Sequence, residues 1–197
     1  MITDFGSDIP FGRIPQKLQE HHGISVPVSS AQAITQYHAQ QASTAEQNRL
    51  NLEIPSEDGV ACLIVEIDGS MIPTVTTDSS PDEAHPTDRR KTRKLGWQEA
   101  RLGFSRLPEE PRPIFAATFG TTDDAGAQLL GSAVRAGLGE KTYVHGVGDG
   151  ARWIASQMEQ HFGRPGRYLI DFYHLCEYLA AASSVCAPDH TAAWLSP

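Results

Sequence analysis

Short apolar runs rich in β-branched residues alternate with amphipathic stretches over most of this chain. Five of these runs are predicted to be β-strands, at residues 60–67, 71–76, 113–119, 143–147 and 167–170. Gly69 and Ser70 separate the first two runs and predict a tight turn between them. A long polar loop is expected over residues 77–96, and residues 97–107 fit a short helix or the edge of a strand.

Apolar residues recur at helical spacing after the third, fourth and fifth predicted strands. The first of these helices is expected to be capped by Thr122 or Asp123, and the last to span residues 172–182. The first three strands are joined by a turn and a loop, so we expect them to be antiparallel. The later strands alternate with helices, so we expect them to be parallel. This order predicts an α/β fold with a ribonuclease-H-like mixed five-stranded sheet and flanking helices.

Residues 1–50 are predicted to form a separate small helical unit. A short helix over 17–23 ends at a glycine, and a second helix over 31–42 follows Ser29 or Ser30 as its cap. Two helices with a tight link resemble a helix-turn-helix that contacts DNA. A plain packing appendage would give the same pattern.

The charge of the chain is unevenly distributed. The 197 residues are 40% hydrophobic and 20% charged, with a net charge of −8. Residues 89–106 hold seven basic side chains and one acid, so this segment carries +6 and the remainder −14. A basic strip on an acidic protein suits contact with phosphates. The alternative is a solvated surface loop. We assign the possible DNA contacts to Arg89, Arg90, Lys91, Arg93, Lys94 and Arg101.

The start of the chain lacks the basic and apolar regions of a secretory signal peptide. No run of about 18 apolar residues is present, so we expect no membrane span. These two observations predict a cytoplasmic protein.

Two aspartates follow apolar runs in the same way, and each precedes a glycine. Asp68 follows the first run and Asp149 the fourth. We predict that each lies at the C-terminal end of its strand, where Gly69 and Gly150 turn the backbone away. Carboxylates from neighbouring strands suit a two-metal phosphodiester site, because Mg²⁺ prefers oxygen ligands. The alternative is that both are ordinary turn aspartates.

Asp171 and His174 form an Asp-x-x-His segment after the fifth run. A histidine bonded to an aspartate can orient a ligand or contact a phosphate. The alternative is a capping aspartate beside a structural histidine. The glycine-rich stretch Gly146–Gly150 matches neither the dinucleotide nor the P-loop pattern, so no nucleotide cofactor is expected.

Together these motifs resemble those of bacterial insertion-sequence DDE transposases with a ribonuclease-H-like catalytic domain. The similar segments are Asp149–Ala151 with Trp153 and Ile154, and Asp171–His174. Asp68 resembles the first acid of that family, and residues 90–103 resemble its Trp-Lys-Glu-x-Arg segment with Gln98 in place of the Lys.

The resemblance implies a transposase that holds Mg²⁺ or Mn²⁺ with Asp68 and Asp149. Asp171 and His174 would be further catalytic residues. The implied partner is transposon-end DNA, and further copies of the chain are a second candidate partner. A DNA-bound enzyme of this kind would be nucleoid-associated in the cytoplasm.

Members of this family carry a third acid, usually Glu, on a downstream helix. In this chain only Glu177 and Asp189 follow His174, and neither matches the family position. The expectation is therefore an incomplete catalytic core over 51–183, with the start of a helical insertion or a tail over 184–197. Such a chain would not cleave DNA alone. The alternatives are a DNA-binding transposase remnant that represses transposition, and another ribonuclease-H-like nuclease.

Overall fold

The computed structural model of the chain describes residues 1–50, 52–77, 92–163 and 167–189. The chain divides into two compact units, Met1–Leu50 and Asn51–Pro197. Within the described ranges, every helix is too short or too polar to cross a lipid bilayer.

The first unit consists of helices. They are α1 (Ile2–Asp8), a 3₁₀ turn (Phe11–Arg13), α2 (Ile14–His22) and α3 (Val28–Arg49). Ile14, Leu18 and Ala31 form its buried centre. Gly23 ends α2 in the left-handed conformation, with φ of 65°, as a glycine after a helix commonly does.

The start of α3 differs from the prediction. The helix begins at Val28 after Pro27, which makes no side-chain cap bond, so Ser29 and Ser30 lie inside its first turn. Proline has no N–H group and favours a position at a helix start, and this overrides the serine cap signal. Helix α1 was not predicted; its seven residues bury none of their side chains fully, and only Ile2 and Phe5 pack against the centre of the unit.

The second unit contains a five-stranded mixed sheet with flanking helices, which confirms the predicted α/β class. Its elements are β1 (Cys62–Thr76), β2 (Lys94–Arg106), β3 (Ile114–Thr118), α4 (Thr122–Arg135), β4 (Tyr143–Gly148), α5 (Arg152–Phe162), β5 (Arg167–Ile170) and α6 (Phe172–Cys186). The strand order is β3-β2-β1-β4-β5. β2 is antiparallel to β1 and β3, whereas β4 is parallel to β1 and β5.

β1 is one strand of 15 residues, so the turn predicted at Gly69–Ser70 is wrong. Gly69 pairs with Arg101 and Ser70 with Ala100 in an unbroken antiparallel ladder. β2 provides this continuous partner, and its pairing overrides the local turn signal. The run predicted as a second strand is the second half of β1, and the end of the predicted loop belongs to β2.

One face of the sheet packs against α4 and α5. Leu63, Val65 and Ile67 alternate along β1 and are buried together with Leu129 of α4 and Ile154 of α5. The period of two places every second residue of the strand on this core face. The helix α4 begins at Thr122, so its cap lies one residue before the nearer of the two predicted cap residues. Thr121 is its cap, and the side chains of Thr121 and Asp124 form a reciprocal capping box.

The opposite face of the sheet carries exposed apolar side chains. Leu102, Phe115 and Leu169, on three different strands, are 54%, 58% and 50% exposed. Residues paired across neighbouring strands point to the same face, so Glu66 shares this face with Phe104 and Val147. We refer to it as the open face.

β1 and β2 extend beyond the rest of the sheet as a two-stranded ribbon. Residues 70–76 pair with residues 94–100, from Ser70 with Ala100 to Thr76 with Lys94. The pairing of β1 with β4 ends at Glu66, and that of β2 with β3 begins at Arg101. We refer to this paired extension as the ribbon.

Candidate functional site

The strand register brings Asp68 and Asp149 to the same level of the sheet. β1 and β4 are adjacent and parallel, and Glu66 is opposite Val147. Asp68 follows Glu66 by two residues, and Asp149 follows Val147 by two residues. Neighbouring strands lie about 4.8 Å apart, so both carboxylates start from adjacent backbone positions. Glu66 and Asp68 share the open face because they are two residues apart on β1.

Asp68 does not lie at the end of a strand, contrary to the prediction. It is an exposed residue in the middle of β1, and it sits where the neighbour β4 ends. Its Oδ1 atom accepts the N–H of Gly69 at 2.6 Å. Gly69 remains in the ladder with β2, so it does not turn the backbone away.

Asp149 follows the end of β4, as predicted. Gly150 then takes a φ of 93°, which favours glycine, and turns the chain towards α5. The N–H of Gly150 donates to the Tyr168 hydroxyl at 2.9 Å. Asp149 Oδ1 accepts the N–H of Ala151 at 2.7 Å. These bonds fix the turn in which the Asp149 carboxylate is presented.

Asp171 and His174 form a hydrogen-bonded pair at the start of α6. Asp171 Oδ1 accepts the N–H groups of Tyr173 and His174, and Oδ2 lies 2.5 Å from His174 Nδ1. The backbone N–H of Asp171 donates to the carbonyl of Gly148 at 2.9 Å, directly beside Asp149 in the chain. Both residues therefore lie at the same end of the sheet as Asp149.

The contact between Asp171 and His174 shifts the pKa of both side chains. Hydrogen bonds from the backbone and side chain of His174 lower the pKa of Asp171. The hydrogen bond to Asp171 raises the pKa of His174, and the negative charges of Asp171, Glu177 and Asp149 raise it further. The imidazole therefore keeps its proton to a higher pH than an ordinary histidine.

Glu66 is a fourth carboxylate of this region, and the sequence analysis missed it. Burial is the largest cause that raises the pKa of Glu66, and the negative charge of Asp171 is the second. Arg106 lowers this pKa, and Asp68 raises it by a smaller amount. The signal that could have found it is the period of two, because Glu66 precedes Asp68 by two strand residues. Its place inside an apolar run made it look like an isolated charge.

The carboxylates at this end of the sheet are suited in kind to a divalent cation. Asp68 and Asp149 offer hard oxygen ligands, and each uses Oδ1 for a backbone N–H in the contacts described. In the ranges that the structure describes, no three His, Cys, Asp or Glu side chains are grouped closely enough to hold a metal. That Asp68 and Asp149 hold a metal together stays a prediction.

The residues predicted to contact DNA fall into three groups. Arg89, Arg90 and Lys91 lie outside the described residues. Arg93 and Lys94 are exposed at the end of the ribbon.

Arg101, by contrast, has a side chain that is only 14% exposed. Its guanidinium donates to the carbonyl of Gly120 at 2.6 Å and to Glu99, and it lies 5.5 Å from the ring centroid of Trp153. A DNA contact by Arg101 would have to compete with these internal contacts.

No model of a known protein family matches the chain. A search among curated proteins likewise returns no match.

Proposed function

We propose that this chain has the ribonuclease-H-like fold of a DDE-type DNA transposase and that Asp68 and Asp149 hold Mg²⁺ or Mn²⁺. The observation that carries the proposal is the register of β1 and β4, which brings the two aspartates to one level of the sheet. The strand order β3-β2-β1-β4-β5, with two antiparallel and two parallel pairings, supports the assignment of the fold.

The chemistry would be hydrolysis of a DNA phosphodiester followed by strand transfer. Two divalent ions, when bound, supply activation of the attacking oxygen and stabilisation of the leaving oxygen. The chain's own part is to fix the carboxylates, through the strand ladder at Asp68 and the Gly150 turn at Asp149.

His174 contributes a positive charge to this acidic end of the sheet. Its Nδ1 atom is engaged with Asp171, which orients the ring and favours the protonated form. A protonated imidazole attracts a phosphate group, so His174 would position the DNA backbone beside the carboxylates. Asp171 acts through His174 and is therefore a positioning residue.

The proposal is tested by Mn²⁺ binding, followed by the paramagnetic resonance of the free ion. Asp68→Asn and Asp149→Asn should each weaken Mn²⁺ binding at least about tenfold, because each removes one charged ligand. Glu109→Gln is the matched control, since it removes an exposed carboxylate in a turn away from β1 and β4. Unchanged Mn²⁺ affinity in both aspartate variants would remove the metal site.

DNA binding in chelator separates this proposal from a non-catalytic DNA-binding remnant. Contact that depends on the two-ion site should weaken when Mg²⁺ is removed and should respond to Asp149→Asn. A remnant would bind DNA equally with and without metal. RNA or a phosphosugar as the preferred competitor would instead favour another ribonuclease-H-like nuclease.

A further inference from the structure

The ribbon has one strongly apolar face. Met71, Pro73, Val75, Leu95 and Trp97 all point to this side, since Pro73 pairs with Trp97 and Val75 with Leu95. Glu99, the partner of Met71, lies on the same side and is ion-paired with Arg101. Met71, Val75, Leu95 and Trp97 are 56%, 44%, 79% and 68% exposed. The opposite side of the same ribbon carries mainly small and polar residues: Ser70, Ile72, Thr74, Thr76, Lys94, Gly96, Gln98 and Ala100.

The apolar face of the ribbon continues the core face of the sheet. Leu63, Val65 and Ile67 lie under α4 and α5, and the same alternation runs on to Met71 and Val75. The sequence therefore specifies a buried surface along the whole of β1, whereas its second half is exposed in the isolated chain. An isolated two-stranded ribbon is only marginally stable in water, so we expect another surface to pack against this face.

We propose that the apolar face of the ribbon is a dimer interface, and that its occupant is the same face of a second copy of this chain. Two ribbons stacked face to face would form a small four-stranded sandwich with its sheets about 10 Å apart. Such a contact is isologous, so it needs one patch and no separate complementary surface. A second copy is also present wherever the chain folds.

The size of the face fits this occupant. The exposed parts of its four large side chains amount to roughly 500 Å² per copy, so two copies would bury about 1,000 Å², where specific interfaces begin. Large exposed apolar patches on soluble proteins commonly mark such contacts.

The charges near the face disfavour nucleic acid. Phosphate contact requires free cations. At the base of the described face, the guanidinium of Arg101 is bound to Glu99 and Gly120. Lys94 belongs to the opposite side of the ribbon, because it pairs with Thr76. An apolar face whose basal cation, Arg101, is paired suits an identical apolar face better than a DNA backbone.

The test is sedimentation equilibrium of the full chain across micromolar concentrations. Leu95→Glu combined with Trp97→Glu should raise the dimer Kd at least about 100-fold, because it would bury four like charges in the interface. Thr74→Glu combined with Gln98→Glu is the matched control. It adds the same charge to the opposite side of the ribbon, and it should change the dimer Kd by less than about threefold.

A second readout uses the unaltered chain. Backbone amides of β1 and β2 in the ribbon should exchange more slowly with deuterium as the protein concentration rises. A monomer at every concentration, or equal weakening in both variant pairs, would overturn the proposal. So would a dimer that survives Leu95→Glu with Trp97→Glu, since another surface would then hold it. Protection of the ribbon by DNA in a monomeric chain would identify nucleic acid as the occupant instead.

Discussion

Gly59 and Gly139 approach so closely that neither position has room for a Cβ atom. A Cβ on Gly59 would lie 2.6 Å from the Cα of Gly139, and a Cβ on Gly139 would lie 2.6 Å from the Cα of Gly59. Backbone bonds surround the contact, including Glu140 N–H to the carbonyl of Glu57 and Val60 N–H to that of Gly137. This contact fastens the start of β1 to the loop before β4. It therefore helps to set the register that aligns the two site aspartates.

Gly59→Ala should destabilise the second unit by at least about 2 kcal/mol, because the new Cβ meets backbone and the residue has a φ of 71°. Gly96→Ala is the control, since its Cβ would meet only the Thr74 hydroxyl at an ordinary 3.6 Å. Urea denaturation followed by circular dichroism measures both. Equal loss of stability in the two variants would contradict the role of the close approach.

A buried hydroxyl pair gives a second prediction. Ser105 of β2 and Ser132 of α4 are fully buried, and their Oγ atoms lie 2.7 Å apart. Ser132→Ala should cost about 1–3 kcal/mol, because it leaves the Ser105 hydroxyl without this partner. Combining it with Ser105→Ala should cost less than the sum of the two single changes. A strictly additive double variant in urea denaturation would show that the two hydroxyls do not interact.

Substitutions of Arg101 and Arg93 should have different effects, the first on stability and the second on DNA affinity. Arg101→Ala should lower the melting temperature, because it removes the contacts with Gly120, Glu99 and Trp153. Arg93→Ala should leave the melting temperature unchanged and reduce the salt dependence of DNA affinity by about one phosphate contact. Fluorescence anisotropy over a salt series measures the second effect. A stable Arg101→Ala protein with a reduced salt slope would restore the DNA contact predicted for Arg101.

The pair of Asp171 and His174 predicts a defined pH dependence. The pKa of His174 is raised above its ordinary 6.5 and that of Asp171 is lowered below its ordinary 3.8. The stabilisation by the pair is therefore complete between these two values. It is lost as the pH rises through the raised pKa of His174, and as the pH falls through the lowered pKa of Asp171.

Proton NMR of the imidazole Cε1 signals tests this pair directly. Asp171→Asn should lower the pKa of His174, because it removes the charge and the strongest hydrogen bond. A titration midpoint that stays in place would show that the short contact does not form in solution.

His161 on α5 should titrate in the opposite sense. Burial lowers its pKa below 6.5, and the charge of Asp123 only partly opposes this. A histidine kept neutral in the folded state destabilises the fold as the pH drops from 6.5 through the lowered pKa, since the unfolded chain binds the proton first. In the same NMR titration its midpoint should lie below that of His174. The reverse order would contradict the described burial of α5.

From β3 onward, the order of elements could be predicted because the helices and strands of the second unit bury one side. The alternation along β4 and the stripe on α5 are visible in the residues themselves. The parallel pairing of β4 with β5 followed from their connection through α5.

The long pairing of β1 with β2 could not be predicted in the same way. Gly69 and Ser70 form a local turn signal, and only the partner strand, distant in the chain, decides against it. Glu66 was missed for a related reason, because its significance depends on Asp171, which lies on another element. Likewise, Arg101 packs against Trp153 of α5, which is distant in the chain. The neighbouring basic residues alone therefore suggested that Arg101 is exposed to solvent.

Because β1 is unbroken, Asp68 is connected directly to the ribbon by one continuous strand, whereas Asp149 is not. One rigid strand joins the carboxylate to the ribbon, whose first pair, Ser70 with Ala100, lies two residues away. Asp149 stands on a separate turn held by Tyr168. A bend or twist applied to the ribbon is therefore transmitted along the backbone to one carboxylate and not to the other. A force that bends the ribbon at its far end, where Thr76 pairs with Lys94, would therefore change the distance between the two carboxylates.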